Sequence, residues 1–109
     1  MLYAPAILPA NIDPTPSTNG ALTSTSVSSS AVQLLAANLN RKGFSIFNAS
    51  NNRTLFVGLS NSVSTTANYF VEIPPKGFFS WSQNTIFTGA IFAIASGSNA
   101  NAQVLELTP

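Results

Sequence analysis

The chain has 109 residues and a mass of 11.4 kDa, which is the size of one small domain. Charged residues make up 6% of it and the formal net charge is +1, whereas an average soluble protein has about 25% charged residues. The absence of cysteine and histidine excludes disulfides, thiolate metal sites and acid–base catalysis by an imidazole.

The first thirty residues predict an extended arm. Four prolines within residues 1–22 remove backbone donors and hold the residues before them in extended conformations, which excludes a helix or a central strand. A disordered tail is one interpretation, but this segment is too apolar for a typical solvated tail. An arm that lies along a neighbouring molecule explains both features. Its candidate interface residues are Leu2, Tyr3, Ile7, Leu8 and Ile12.

The predicted domains are therefore the arm, residues 1–30, and a β domain, residues 31–109. Residues 23–30 are rich in serine and threonine and fit either a linker or an edge strand. We expect that deletion of residues 1–22 leaves a folded domain with weakened assembly. No signal-peptide pattern follows Met1, and no apolar run approaches the ~20 residues of a membrane helix, so the expected location is the cytoplasm or an assembly built there.

The β domain begins with a predicted strand at residues 31–37. The stretch 43–59 then predicts a β-hairpin, because two runs rich in β-branched and aromatic residues flank a polar tip at Asn51, Asn52 and Arg53. Both runs are apolar on both faces. Phe47 lies on the opposite face from Phe44 and Ile46, and Phe56 lies on the opposite face from Leu55 and Val57. The second face meets either an arm or another subunit, or it is covered by a loop of the same chain.

Four further segments complete the predicted sheet. Residues 68–73 predict a strand with Tyr69, Val71 and Ile73 on one face and Phe70 and Glu72 on the other. Residues 74–77 predict a turn, because proline presets φ and glycine suits the last position. Strands follow at 77–81, at 85–95 with a bend or bulge at Gly89, and at 102–108. Short strands and regular turns predict an all-β fold, a jelly roll or antiparallel β-sandwich of seven or eight strands.

The candidate chemical groups are sparse. Arg41, Lys42, Arg53 and Lys76 are too few to predict a nucleic-acid site, and a solvated surface or a salt bridge to Glu72 or Glu106 is favoured. Trp81 with its aromatic neighbours fits the core, an interface or a sugar-stacking platform, and the core is favoured. The sequence predicts no catalytic residue, cofactor, metal, nucleic acid, membrane or small-molecule substrate. With so few charges to keep copies apart, association is favoured.

The last seventy residues resemble a known group of proteins. The resemblance is carried by Leu34 to Asn38, Asn40 to Asn48, Leu55 to Gly58, Tyr69 to Pro74, and Gly89 to Ile94 with the closing strand. Its most specific part is Arg41-Lys42-Gly43 followed by an apolar strand and Asn48. This order of features resembles small all-β virion proteins of tailed phages, which include head decoration (cement) proteins and accessory tail components.

The resemblance implies a role without catalysis. A cement protein binds coat subunits through apolar contact area and through arms that reach neighbours, and it is often a trimer. The expected function is that of a capsid cement protein located in the virion, with the major capsid protein (or another virion protein) and copies of itself as partners. The interface candidates in the domain are Phe47, Phe56 and Trp81. A tail, baseplate or head–tail junction component is one alternative, and a carbohydrate-binding or adhesin module is another.

Overall fold

The computed structural model describes residues 16–82 and 85–109. These residues form eight β-strands arranged in two antiparallel sheets. The strands are β1 (Asn19–Val27), β2 (Val32–Leu35), β3 (Gly43–Asn48), β4 (Leu55–Gly58), β5 (Val71–Ile73), β6 (Phe78–Ser82), β7 (Ile91–Ala95) and β8 (Ala100–Thr108). Sheet A has the order β1-β8-β3-β6, and sheet B has the order β2-β7-β4-β5.

The strand pairing is that of a jelly roll. The second half of the chain returns along the first, so that β5, β6, β7 and β8 pair antiparallel with β4, β3, β2 and β1. This long double ribbon is then rolled, which places β8 beside β3 and β7 beside β4. Rolling gives two packed four-stranded sheets, as the prediction of an all-β jelly roll or sandwich required.

The core lies between the two sheets and follows the period-two alternation of the strands. Sheet A contributes residues such as Ile46, Ala102 and Val104, and sheet B contributes Leu55 and Ile91, all fully buried. Within the described residues, every buried side-chain nitrogen or oxygen has a hydrogen-bond partner. Among these residues, the inner faces of both sheets are occupied by the core, which leaves the outer faces and the edges for docking.

The sandwich begins earlier in the chain than the predicted boundary between residues 30 and 31. Strand β1 pairs with β8 over nine residues, from Asn19 opposite Thr108 to Val27 opposite Ala100. The serine- and threonine-rich stretch is thus an edge strand, one of the two alternatives that its composition allowed. The proposed cut after residue 22 would remove the first four residues of this strand. Residues 1–15 of the predicted arm lie outside the described residues.

The predicted hairpin at residues 43–59 was wrong, although both of its strands exist. Strand β3 belongs to sheet A and β4 to sheet B, so the polar tip crosses between the sheets. The buried side chain of Asn48 fixes this crossing, because its amide nitrogen donates to the carbonyls of Arg53 at 2.7 Å and Ile73 at 2.9 Å. Its side-chain oxygen accepts bonds from the backbone and hydroxyl of Ser50. These bonds tie the crossing to β5.

The prediction of one strand over residues 85–95 was also wrong in its first half. The strand begins only at Ile91, because the carbonyls of Phe87 and Gly89 accept bonds from Arg41 instead of joining a ladder. The predicted turn at residues 74–77 is confirmed, with a bond from the Gly77 nitrogen to the Pro74 carbonyl. Its positive φ of 64° falls on Lys76.

Candidate binding surface

The outer face of sheet A carries three exposed large apolar side chains, Phe47, Phe78 and Leu22. Alternation along the strands sends Phe44 and Ile46 inward, and it leaves Phe47 on the outer side directly opposite Phe78 of β6. Phe47 is 37% exposed and Phe78 is 72% exposed. On the other half of the sheet, Leu22 of β1 is 76% exposed and lies opposite Leu105 of β8. Exposed apolar groups on one sheet face are a typical sign of a protein-binding surface.

A shallow groove runs across this face between the two apolar groups. Its floor is made of small residues, Gly43, Ser45, Ser80 and Ser82, because neighbouring strands place them side by side. Leu105 and Leu107 of β8 also line it, and Pro16, Ser17 and Lys42 border the same space of about 310 Å³. The described chain begins at the edge of the groove, since Ser17 donates to the carbonyl of Thr108 at 2.6 Å. A flat floor with apolar sides suits an extended peptide or a neighbouring protein better than a compact small molecule.

The outer face of sheet B differs, because the same chain covers part of it. The loop between β4 and β5 packs against the end of β4, where a Cβ on Gly58 would meet the Asn68 carbonyl at 2.5 Å and Val63 at 2.8 Å. Val63 is buried there. Phe56 meets Tyr69 edge-on, with 5.1 Å between ring centroids. The sequence left two explanations for strands that are apolar on both faces. At β4, a loop of the same chain covers the second face. On β3, Phe47 remains open among the described residues.

The contact between Phe56 and Tyr69 corrects the predicted faces of residues 68–73. Tyr69 lies on the outer side with Phe56 and Glu72, whereas Phe70 contacts Phe79 and Trp81. The alternation fails because Asn68 has a φ of 63° and the strand starts only at Val71. The Tyr69 hydroxyl donates to Glu72 at 3.0 Å. This hydrogen bond, with the negative charge of Glu72, raises the pKa of Tyr69.

Trp81 packs at one end of the core, as favoured from the sequence. It is half-buried, and its ring contacts four phenylalanines with centroid distances of 5.5 to 6.3 Å, Phe44, Phe70, Phe79 and Phe87. The indole nitrogen donates to the carbonyl of Thr85 at 3.1 Å. A sugar-stacking platform needs a free ring face, and these contacts leave Trp81 poorly placed for that role.

The basic residues have structural partners. Arg41 forms a salt bridge with Glu106, one of the alternatives that the sequence left open, at 2.8 Å between Nε and the carboxylate. Arg53 donates to the carbonyl of Ser98, and Lys76 donates to that of Ala49. No group of three or more metal-ligating side chains comes together within residues 16–82 and 85–109. In the same ranges, no helix is long and apolar enough to span a membrane.

The interface candidates from the sequence are thus divided among several places. Phe47 lies on the open outer face of sheet A, Phe56 is half-covered on sheet B, and Trp81 packs against the core. The candidates on the arm, Leu2, Tyr3, Ile7, Leu8 and Ile12, lie outside the described residues. Sequence reasoning missed Phe78 and Leu22 as surface groups. Phe78 could have been found from the pair Phe78-Phe79, because adjacent strand residues point to opposite faces.

The comparisons with known proteins give no relative on which an assignment could be based. The chain matches no protein-family model, no curated protein and no solved structure. The fold therefore follows from its own strand pairing, and the function has to be argued from its surfaces.

Proposed function

We propose that the protein is a structural protein of a phage virion, a capsid cement protein that binds coat subunits and copies of itself. The observation that carries the proposal is the outer face of sheet A, where Phe47, Phe78 and Leu22 are exposed beside a groove with a small-residue floor. Such a face offers apolar area for docking, worth about 25 cal/mol for each Å² removed from water. The resemblance to small virion proteins of tailed phages supports the same role.

The charge distribution supports docking through apolar contact. The whole chain has three acidic and four basic residues, and the ion pair of Arg41 with Glu106 is engaged in holding the fold together. Electrostatic attraction can therefore contribute little to partner selection. Shape and buried apolar area must supply the affinity, and many identical sites on a shell multiply it.

Copy number in purified particles tests the proposal. Virus particles from the source that encodes the chain should contain it in numbers comparable with the coat protein, spread over the shell, as seen by quantitative mass spectrometry and image reconstruction. A few copies at a single vertex would assign the same fold to the tail, the baseplate or the head–tail junction. Particles that contain none of the protein would reject a virion role.

A further inference from the structure

We propose that two copies of the protein pair along β1, edge to edge, so that their A sheets join into one continuous eight-stranded sheet. The pairing goes beyond the proposed virion role and does not depend on it. The argument starts from the four edge strands of the described sandwich, which are β1 and β6 in sheet A and β2 and β5 in sheet B. A sheet edge exposes unpaired backbone groups, and monomeric proteins normally protect such edges.

Two of these edges, β2 and β5, carry a protective feature, and β6 is shorter than β1, which carries none. Strand β2 has four residues and a register shift between Gln33 and Leu35. Strand β5 has three residues and is followed by Pro74 and Pro75, while β6 has five residues. Strand β1 has nine residues in unbroken register with β8, without proline, charge or bulge. It is therefore the edge best suited to accept another strand.

The first part of β1 is also open on both faces. All six residues from Asn19 to Ser24 are exposed, although each has a partner on β8. The exposed group includes Leu22 on the outer face, which is also the strand's largest apolar side chain. A strand added at this edge would gain backbone hydrogen bonds and would cover apolar surface in one step.

A second copy of β1 is the partner that fits this edge. An antiparallel pair of identical strands is self-complementary, so each copy offers the other an equal length of nine residues. No charged side chain occurs on β1, and two copies therefore meet without like-charge repulsion. With the middle residue Thr23 on the two-fold axis, Leu22 of one copy lies opposite Ser24 of the other and diagonal to the second Leu22.

Disulfide trapping tests this register. The chain has no cysteine, so Thr23→Cys introduces a single thiol. Facing residues of antiparallel strands lie about 4.5–5.5 Å apart at Cα, which a disulfide can bridge. The matched control is Ser80→Cys, an exposed position in the middle of β6 at the opposite edge. We expect Thr23→Cys to cross-link at least about tenfold faster, because pairing raises the effective thiol concentration. Equal rates, or no cross-linked dimer, would overturn the proposal.

Charge substitution at the same residue provides a second readout. Thr23→Lys and Thr23→Glu each place like charges across the two-fold axis, so each variant should sediment as a monomer at concentrations where the unmodified protein is a dimer. An equimolar mixture of the two should recover the dimer, with one copy of each. Thermal unfolding by circular dichroism checks that both variants are folded. A dimer that persists in Thr23→Lys, or an unmodified protein that stays monomeric at high concentration, would refute the β1 contact.

Discussion

Arg41 connects three parts of the sandwich, which are β8, the chain just after β2 and the segment before β7. Its side chain is fully buried and donates to Glu106 on β8, to the carbonyl of Ala36, and to the carbonyls of Phe87 and Gly89 before β7. Its guanidinium also lies 5.7 Å from the centre of the Phe44 ring. The planar fork of arginine can serve all these acceptors at once, which the single ammonium of lysine cannot.

We predict that Arg41→Met lowers the free energy of unfolding by about 3 kcal/mol, because it leaves Glu106 without its counter-charge and three carbonyls without donors. The matched control is Arg53→Met, since Arg53 is bound near the surface through one nitrogen to the Ser98 carbonyl. We expect the control to lose about 1 kcal/mol. Urea unfolding at neutral pH measures both, and equal losses would contradict a special role for Arg41.

The raised pKa of Tyr69 determines the direction in which the stability of the fold changes with pH. Its pKa is raised in the folded protein, so the bond to Glu72 supports the fold fully below the pKa of the unfolded chain, about 10. That support is lost as the pH rises through the raised folded value. Because the group is exposed, solvent screens the effect and its contribution to stability is small.

At the scale of elements, the sequence predicted which segments are strands better than it predicted how they pair. The segments around β2, β3, β4, β6 and β8 were identified because their alternation and turn residues are local signals. The hairpin was wrong because an Asn-rich tip is compatible with both a tight turn and a crossing between sheets. The deciding bond, from Asn48 to the Ile73 carbonyl, spans 25 residues and leaves no local pattern.

The site was predictable to a similar extent. Alternation correctly separated Phe47 from Phe44 and Ile46, which is enough to place one aromatic residue on an outer face. Which outer face stays open depends on the path of the loop between β4 and β5. That loop packs on Gly58 through a tertiary contact, so the sequence left the two alternatives for Phe47 and Phe56 undecided.

This loop contact makes Gly58 an element-scale test. We predict that Gly58→Ala lowers the free energy of unfolding by about 2 kcal/mol, because the added methyl group would overlap the Asn68 carbonyl and Val63. Gly20→Ala is the control, since its Cβ would meet the ends of Leu105 and Leu107 at 3.4–3.5 Å, an ordinary contact. Thermal unfolding of the two variants should differ clearly. Equal melting temperatures would indicate that the loop yields easily.

The position of β1 sets where the arm can be removed. We predict that deletion of residues 1–15 leaves the melting temperature nearly unchanged, because β1 and the bonds from Ser17 and Thr18 to Thr108 are retained. Deletion of residues 1–22 removes Asn19–Leu22 and their pairing with β8, and it should lower the melting temperature by several degrees. Calorimetry measures the melting temperatures of the two truncated proteins. The shorter deletion is therefore the proper test of the arm, and its unchanged attachment to particles would reject an arm-mediated contact.

For the whole molecule, the loss of aromatic side chains from the two outer faces should affect attachment differently. The double variant Phe47→Ser, Phe78→Ser removes two facing rings from the outer side of sheet A, and because Phe47 is only 37% exposed the free energy of unfolding should fall by about 2 kcal/mol. Its attachment to particles should weaken about tenfold or more, because exposed aromatics of this kind form the centre of binding surfaces.

Phe56→Ser removes a ring that is half-covered by Tyr69, so it should reduce stability by about 2 kcal/mol and leave attachment of the folded protein unchanged. Co-sedimentation with particles, together with urea unfolding, separates the two effects. If Phe56→Ser weakens attachment and the double variant does not, sheet B is the docking face and sheet A is not.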